Sequence, residues 1–312
     1  MSDWPRLLPF ASARGGEALA LATLVARSGS SYRPAGARLL VGADGAFSGS
    51  LSGGCLEDEV AAAATRVLGT GAPSIHEVDT RPHFGCPGRL TIFIERLPDG
   101  WPAELAGRLA RREVFYVRTD YRAAGGLGGS RLLDETPAEE TGVLVERVGP
   151  APRVVVVSGT SDADHVVGLG RLLGWEMRRI LPAGEPSKGE DDARGEVCRP
   201  DDIVRRFPPD AGTAVVVMTH HLARDLAFLR EVLPVPYAYV GLLGSSRRRE
   251  LLLAELGEAG VLADDAALER LHAPVGLDLG AVDPASVALA VVAEIQCAWS
   301  GRQGGRLRDL RK

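Results

Sequence analysis

Residues 153–164 read RVVVVSGTSDAD, and this stretch decides the fold of the second half of the chain. The β-branched run 153–157 predicts a buried strand, and apolar residues at helical spacing follow the turn as far as Gly174. A strand, a glycine turn and a helix in this order form the repeating unit of doubly wound parallel sheets. The sequence therefore predicts an α/β fold with a parallel sheet.

The rest of that half continues the alternation of strand and helix. Strands are predicted at 175–181, 213–218 and 236–243, and helices at 223–233, at 247–256 and from Asp283-Pro284 to about Trp299. The segment 182–200 is polar and rich in proline and glycine, which predicts an irregular loop. Two prolines beside a glycine at 149–152 place a domain boundary, giving domains 1–149 and 150–312.

Short strands dominate the pattern of residues 1–149. The Asp44-Gly45 pair between two such strands is a strong hairpin signal. One helix is predicted after residue 55, with Gly69 as its C-cap. The predicted strands are 18–26 (which also fits a short helix), 38–41, 46–51, 75–78, 90–96, 114–118, 131–133 and 142–147. This half is therefore expected to be a mixed α/β domain.

Composition excludes several classes of protein. Of 312 residues, 45% are apolar and 25% are charged, which is ordinary for a globular protein. The net charge of -5 argues against non-specific nucleic-acid binding, and no apolar run predicts a membrane span. The first residues lack a signal-peptide pattern, and the four cysteines are widely spaced without a C-x-x-C. A cytoplasmic location is expected, without a zinc site or a disulfide framework.

The segment 48–60, SGSLSGGCLEDEV, carries the strongest chemical signal. Gly53 and Gly54 allow a tight turn, and Cys55 stands where that turn becomes a helix. Unpaired N–H groups and the helix dipole at such a position favour a reactive thiolate and could also hold an anion. The competing interpretation is a small buried cysteine behind a tight turn.

Two further loops of the same half are candidates for binding. The segment 28–36 combines Ser30, Ser31 and Arg33 with two glycines, which suits either an anion-binding loop or a plain polar connection. The segment 79–89 frames Cys86 with glycines and includes cationic neighbours, which lower a thiol pKa when they are also close in space. Two glycine-framed cysteines in one small domain suggest a site for a soft ligand.

The nucleotide signal of the second half is incomplete. Gly159 stands where the first glycine of a G-x-G-x-x-G turn belongs, but Ser161 and Asp164 occupy the later glycine positions. The strand that ends at 181 has no acidic residue at its tip for a ribose hydroxyl. His220 and His221 follow a strand that ends at the expected crevice, where they suit either acid–base chemistry or packing.

At these residues the sequence resembles the XdhC/CoxI family, accessory proteins of molybdenum hydroxylases such as xanthine dehydrogenase. Six ordered segments across both halves carry the resemblance, and together they are far more specific than a single glycine loop. They are GSSYRPAGAR at 29–38, SGGCLE at 52–57, GCPG at 85–88, MTH at 218–220, YVGLLGS at 239–245 and HAPVGLDLG at 272–280.

The resemblance implies an N-terminal XdhC-type domain joined to a C-terminal Rossmann-like domain. It implies binding of the molybdenum cofactor (molybdopterin), its protection during sulfuration, and its delivery to the large subunit of a molybdenum hydroxylase. A homodimer and a cysteine desulfurase partner are implied as well. Cys55 is then the leading contact for molybdenum, and Cys86 is the second.

The hypothesis from the sequence is thus a cofactor chaperone rather than a turnover enzyme. The loop from Ser30 to Arg38 and the Gly53-Gly54 turn would hold the pterin phosphate, while Gly159 and His220 would line the crevice of the second domain. Pro87 replaces the glycine that is commonest in the family at that position, and the Rossmann turn reads GTSD at 159–162. Two alternatives remain: an NAD(P)-dependent oxidoreductase that uses His220 or His221, and an assembly factor that carries no cofactor.

Overall fold

The computed structural model describes residues 3–29, 33–54, 56–79, 88–122, 128–184, 195–261 and 265–310. The chain divides into two compact units, Met1–Pro150 and Ala151–Lys312. None of the helices in these ranges is both long and apolar enough to span a bilayer.

In the first unit, two sheets and three helices account for the described regular structure. In chain order these elements are α1 (Trp4–Ala13), β1 (Ala20–Gly29), β2 (Arg38–Val41), β3 (Phe47–Gly49), α2 (Glu57–Thr70), β4 (Ser74–Asp79), β5 (Gly88–Arg96), α3 (Trp101–Ala110), β6 (Phe115–Asp120), β7 (Gly129–Leu133) and β8 (Val143–Val148). Five strands form an antiparallel sheet in the order β3-β2-β1-β5-β4, and three form a second in the order β7-β6-β8. The mixed α/β prediction is confirmed for this unit.

The central strands of the five-stranded sheet are covered on both faces. On one face α2 packs Val60, Ala64 and Val67 against residues such as Leu39 and Ile92. On the other, Trp4 of α1, Trp101 of α3 and Phe115 of β6 share a cluster with Leu21 and Leu40 of the sheet. Since successive strand residues point to opposite faces, the continuous apolar run of β1 serves both clusters.

Two details of this unit differ from the sequence predictions. Helix α2 ends at Thr70 and is capped by Gly71 at φ 71°, whose N–H bonds Val67 O at 2.8 Å, so Gly69 is not the C-cap. The helix simply continues through Gly69, because a glycine inside a helix is tolerated at a modest cost. Helices α1 and α3 were not predicted, and each has a proline in its first turn.

In the second unit, helices cover both faces of one parallel sheet. Its elements are β9 (Arg153–Val157), α4 (Asp162–Leu172), β10 (Glu176–Pro182), β11 (Glu196–Cys198), a 3-10 turn (Pro200–Asp202), α5 (Ile203–Arg206), β12 (Thr213–Val217), α6 (Leu222–Val232), β13 (Tyr239–Leu242), α7 (Ser246–Glu258), α8 (Asp265–Glu269), β14 (Leu271–His272), α9 (Pro284–Ser300) and α10 (Leu307–Leu310). The six strands are parallel, in the order β11-β10-β9-β12-β13-β14. This arrangement confirms the predicted Rossmann-like doubly wound fold.

The segment 182–200 was predicted as a loop, and its end is instead a strand. Residues Glu196–Cys198 pair in parallel with β10 and form the edge of the sheet, with Leu181 opposite Val197. Edge strands of three residues carry little periodic signal, because their stability comes from pairing with the neighbouring strand. Residues 185–194 of that segment lie outside the described ranges.

Helix α9 begins at the N-cap that the sequence predicted. Asp283 Oδ1 accepts hydrogen bonds from Ala285 N at 3.0 Å and Ser286 N at 3.1 Å, and Ser286 Oγ accepts one from Asp283 N at 3.2 Å. These contacts form a reciprocal capping box with Pro284 at the first helical position.

Asp283→Ala is expected to lower the melting temperature of the protein by about 2–4 °C, because the side-chain hydrogen bonds of the cap are lost. Differential scanning calorimetry measures the change. The matched control is Asp283→Asn, which retains a side-chain oxygen for the cap and should melt within about 1 °C of wild type. An alanine variant as stable as the asparagine variant would contradict the proposed role of the cap.

Candidate functional site

The segments that carry the candidate residues of the first unit leave the five-stranded sheet towards one end. Strand β1 ends at Gly29 opposite Gly88, the first residue of β5, and Asp79 at the end of β4 lies opposite Arg89. Strand β2 begins at Arg38 opposite Thr23, and β3 ends at Gly49. The connections 30–37, 50–56 and 80–87 therefore start from the same end, and the β1–β5 pair projects roughly 15–20 Å farther than β2 and β3.

Four of the predicted site residues fall within these connections but outside the described ranges. They are Ser30, Ser31, Cys55 and Cys86. Among the described residues, no group of three or more His, Cys, Asp or Glu side chains is arranged to hold a metal ion.

Glu57 determines the geometry of the turn that precedes α2. The residue is 4% exposed, and its carboxylate points back into the turn, where backbone N–H groups and serine hydroxyls surround it. The donors to Oε1 are Leu51 N (2.8 Å), Ser52 N (2.9 Å), Gly53 N (3.2 Å) and Ser50 Oγ (2.9 Å), and those to Oε2 are Gly54 N (2.9 Å), Leu56 N (3.1 Å) and Ser52 Oγ (2.7 Å). Glu57 thus binds the backbone on both sides of position 55.

The hydrogen bonds also fix the charge of this carboxylate. Burial by itself would raise the pKa of Glu57, but the bonds from Ser52, Ser50 and Leu51 outweigh it and hold the pKa well below its ordinary range. The side chain is therefore an anion at neutral pH. A buried anion of this kind is stable because its oxygens are surrounded by donors.

This arrangement changes the role expected for Gly53 and Gly54. Both residues have positive φ, at 87° and 111°, as predicted for a glycine turn. Their N–H groups, which were expected to hold a phosphate, are bonded to Glu57 instead. In the described structure the anion of this turn is the protein's own carboxylate, and the two glycines shape the turn rather than present free donors.

The two arginines of the predicted anion loop lie in different surroundings. Arg33 is partly exposed, and its Nη2 bonds both carboxylate oxygens of Asp3 at 2.5 and 2.6 Å. Arg38 is fully buried, pairs with Glu146 and lies over the ring of Trp4 at 4.9 Å. Arg38 therefore joins β2 to β8 inside the unit, and its guanidinium does not face solvent.

In the second unit, a cavity of about 230 Å³ opens at the carboxyl end of the parallel sheet. It lies beside β9 and β12, where the strand order reverses, and ligands of open α/β sheets bind at this position. Its apolar wall includes Val166, Met218, Leu243, Val287, Ala288 and Val291. His220, which was predicted to line this crevice, lines the cavity together with Asp162 and Asp283.

His220 and Asp162 form a pair at the cavity. His220 Nε2 lies 3.3 Å from Asp162 Oδ2, and the two side chains are 48% and 38% exposed. His220 has φ 59°, a backbone conformation that non-glycine residues rarely adopt. Such conformations persist where the surroundings enforce them, and they are common at functional sites.

Asp225 enforces the backbone beside His220. Its buried carboxylate accepts Thr219 N at 3.2 Å and Thr219 Oγ1 at 2.6 Å, and its other oxygen accepts Nε and Nη2 of Arg248 at 3.1 and 2.5 Å. Thr219 Oγ1 in turn accepts His221 N at 3.2 Å. Asp225 is therefore fully engaged in hydrogen bonds that hold the structure together.

In the turn that follows β9, backbone carbonyl groups bind an arginine side chain. Arg179 of β10 donates to Ser158 O at 3.3 Å and Thr160 O at 2.8 Å, and it pairs with Asp164 of α4. Gly159 is buried and does not have positive φ. The described turn lacks the later glycines by which a G-x-G-x-x-G turn holds a pyrophosphate.

Sequence reasoning missed two components of these sites. Glu57 ends the SGGCLE segment at 52–57, and an acidic residue in the first turn of a helix that follows serines and glycines could have identified it as a capping group. Asp162 is the second, and the sequence assigns it no role beyond its place in the GTSD turn at 159–162. Its pairing with His220 has no sequence signal, since 58 residues separate the two positions.

Comparison with known proteins matches each half of the chain to a domain of one family. Residues 12–79 match the model of the XdhC and CoxI family, and residues 154–295 match the XdhC Rossmann domain. A molybdenum cofactor insertion chaperone, PaoD of Escherichia coli (strain K12), is 27% identical over 90% of this chain and 83% of its own length. A protein of Bacillus subtilis (strain 168) that is named as a probable xanthine dehydrogenase subunit is 24% identical over 89% of this chain and 92% of its own.

A solved structure shares the fold. A crystal structure described as a xanthine dehydrogenase from Bacillus halodurans superposes with a TM-score of 0.75, covers 97% of each chain and is 22% identical. The two family matches together span more than half of the chain, and they include the glycine-framed Cys55 segment and the cavity residues His220 and Asp162. This chain therefore belongs to the XdhC and CoxI family.

Proposed function

We propose that this protein is an accessory protein that binds the molybdenum cofactor and delivers it to a molybdenum hydroxylase. The observation that carries the proposal is the common end of the sheet from which the connections 30–37, 50–56 and 80–87 leave. These connections include both glycine-framed cysteines and the serine loop. The name of the PaoD relative, a molybdenum cofactor insertion chaperone, supports the choice of cargo.

The chemistry of the cargo matches these residue types. A thiolate suits a soft metal centre, so we assign Cys55 to the molybdenum and Cys86 as the second contact. Ser30 and Ser31 offer hydroxyl donors for the phosphate of the pterin, and Arg33, whose guanidinium is paired with Asp3, adds positive charge to the same loop. Gly53 and Gly54 shape the turn, and Arg38 stays in the interior, so neither contributes donors to the phosphate in this proposal.

Glu57 limits how reactive the thiol is before cargo arrives. Its carboxylate accepts the N–H groups of Gly54 and Leu56, the residues before and after position 55. A negative charge there opposes the helix dipole, which by itself would favour the thiolate. We propose that the metal, rather than the turn, supplies the charge that stabilises the bound thiolate.

Three partners follow from this proposed function: a client enzyme, a sulfur donor and a second copy of this chain. The client is the large subunit of a molybdenum hydroxylase, and a cysteine desulfurase supplies sulfur while this protein protects the cofactor. A homodimer is the proposed assembly. The name of the Bacillus subtilis relative, which is that of a probable xanthine dehydrogenase subunit, supports the choice of client class.

Coexpression with the cofactor pathway, followed by elemental analysis, tests the proposal. We expect molybdenum to copurify with wild type and to fall at least about tenfold in Cys55→Ala, because loss of a metal–thiolate contact is worth more than about 1.4 kcal/mol. The matched control is Cys297→Ala in α9 of the second unit, which should retain molybdenum. A Cys55→Ala/Cys86→Ala variant that keeps its molybdenum would overturn the assignment of the thiols.

Client pull-down separates the proposal from the alternative assembly factor. If the molybdenum-free double cysteine variant still activates the hydroxylase as well as wild type does, the protein acts without carrying cofactor. If it binds the client but leaves it inactive, delivery of the cofactor is the function.

A further inference from the structure

We propose that the second unit binds a small nitrogen heterocycle in the cavity beside β9 and β12. The ring edge that carries the N–H groups of this ligand would face Asp162. The proposal concerns this unit by itself; a guanine ligand would be independent of the cargo assigned to the first unit, whereas a pterin ligand rests on that proposed function. The ligand class is a one- or two-ring base that donates paired N–H groups and has no phosphate close to that edge.

The position and size of the cavity indicate a ring. It opens where the strand order reverses, and its apolar wall includes residues of α4 and α9 and the residue that follows β12. An apolar cavity of about 150 Å³ accepts benzene, so about 230 Å³ accommodates a bicyclic ring.

The charges at the cavity select against phosphate. Its described lining includes the carboxyl groups of Asp162 and Asp283, and it includes no lysine or arginine. The nearby Arg179 is already bonded to Ser158 O, Thr160 O and Asp164, so it does not offset these carboxylates at the cavity. Carboxylates without a cation attract donors and positive charge, and they repel phosphate oxygens.

Asp162 is the carboxylate that can receive the ligand. Both oxygens of Asp283 are used within the cap of α9, where they accept Ala285 N, Ser286 N and Ser286 Oγ. The Asp162 side chain is 38% exposed, and its Oδ2 lies 3.3 Å from His220 Nε2. A carboxylate positioned in this way accepts two parallel N–H bonds from a planar 2-amino edge.

His220 sets the orientation of that carboxylate. Its φ of 59° is maintained by Thr219, which Asp225 and His221 hold through three hydrogen bonds. The strained backbone places the imidazole at the cavity beside Asp162. A pair held at the mouth of an apolar cavity is the arrangement expected of a binding site with a few placed polar groups.

Two natural sources share the recognised edge. Guanine and pterins both present a 2-amino group beside a ring N–H. The experiment therefore first uses a probe that has this edge and no other substituent, and then compares guanosine with pterin to distinguish the two sources.

Isothermal titration calorimetry of the full chain with 2-aminobenzimidazole tests the proposal. We expect saturable binding that weakens at least about tenfold in Asp162→Asn, because the charge-assisted pair of hydrogen bonds is lost. The control Asp201→Asn removes an exposed carboxylate that does not line the cavity and should bind as wild type does. Val287→Phe, which fills the cavity, should abolish binding while the protein keeps its circular dichroism spectrum.

A second comparison measures the contribution of the amino group to the affinity. The isosteric 2-methylbenzimidazole lacks the amino donors and should bind at least about tenfold more weakly to wild type. Equal binding of the two probes, or equal binding by wild type and Asp162→Asn, would overturn the assignment of Asp162. Tighter binding of AMP or NAD than of 2-aminobenzimidazole would overturn the exclusion of phosphate.

Discussion

Glu57→Ala is expected to lower the free energy of unfolding by about 3–5 kcal/mol. The substitution removes the acceptor of five backbone N–H groups and two serine hydroxyls between residues 50 and 56. Buried donors left without a partner each cost about 1–3 kcal/mol, and only part of this turn is open to water. Urea denaturation at pH 7, followed by circular dichroism, measures the loss.

Acidification supplies a second measurement of the same contacts. The pKa of Glu57 is lowered in the folded protein, so its stabilising effect is complete above the unfolded pKa of about 4.3 and declines as the pH falls below it. The stability difference between wild type and Glu57→Gln should therefore narrow when the pH is lowered from 7 to about 3.

The control for both measurements is Asp58→Asn. Asp58 lies in the same first turn of α2 but is exposed, so its loss changes the charge without opening the hydrogen-bonded turn. We expect Asp58→Asn to lower the free energy of unfolding at pH 7 much less than Glu57→Gln does. If Asp58→Asn and Glu57→Gln prove equally destabilising, the charge of the helix terminus, rather than the enclosed carboxylate, would account for the result.

Asp225→Ala is expected to destabilise the protein by about 2–4 kcal/mol. Asp225 is completely buried, and its removal leaves Thr219 N without an acceptor and Arg248 without its carboxylate. Because Arg248 is 22% exposed, water can solvate part of its charge, which keeps the cost below that of a fully enclosed pair. The free energy of unfolding in urea at pH 7 measures the effect.

An exposed ion pair of the same unit provides the matched control. Arg205 Nη2 lies 2.6 Å from Asp202 Oδ1, almost the distance of the Arg248–Asp225 pair, but both side chains are exposed. Asp202→Ala should therefore change the stability far less, since solvent and side-chain entropy reduce the value of surface pairs. Similar losses in the two variants would show that burial does not determine the contribution of Asp225.

The sequence predicted the strands because their apolar pattern reflects the burial that the sheet requires. The run 153–157 is a strand enclosed on both faces, and Asp44-Gly45 forms the hairpin between β2 and β3. Helices α1 and α3 were missed because each is ten residues long and depends on contacts with distant segments, such as the Trp4–Trp101 ring contact at 6.1 Å. Local propensity seldom identifies helices of that length.

The candidate sites were predictable only where a residue follows directly from the position of a strand. His220 was identified because residues after a parallel strand face the crevice. The Asp162 partner required the register of β9 and β12, which places the two following turns side by side. The enclosure of Glu57 required the backbone path from Ser50 to Leu56, which residue types alone do not specify.

In the part of the chain that the structure describes, four hydrophobic clusters are found, two in each unit, and each draws all of its residues from one unit. Within the described residues, the buried apolar clusters of each half are thus built from that half alone, so genes encoding the halves could recombine or separate with those clusters intact. Lineages could thus have exchanged one half for a different α/β module while the cysteine-bearing half continued unchanged.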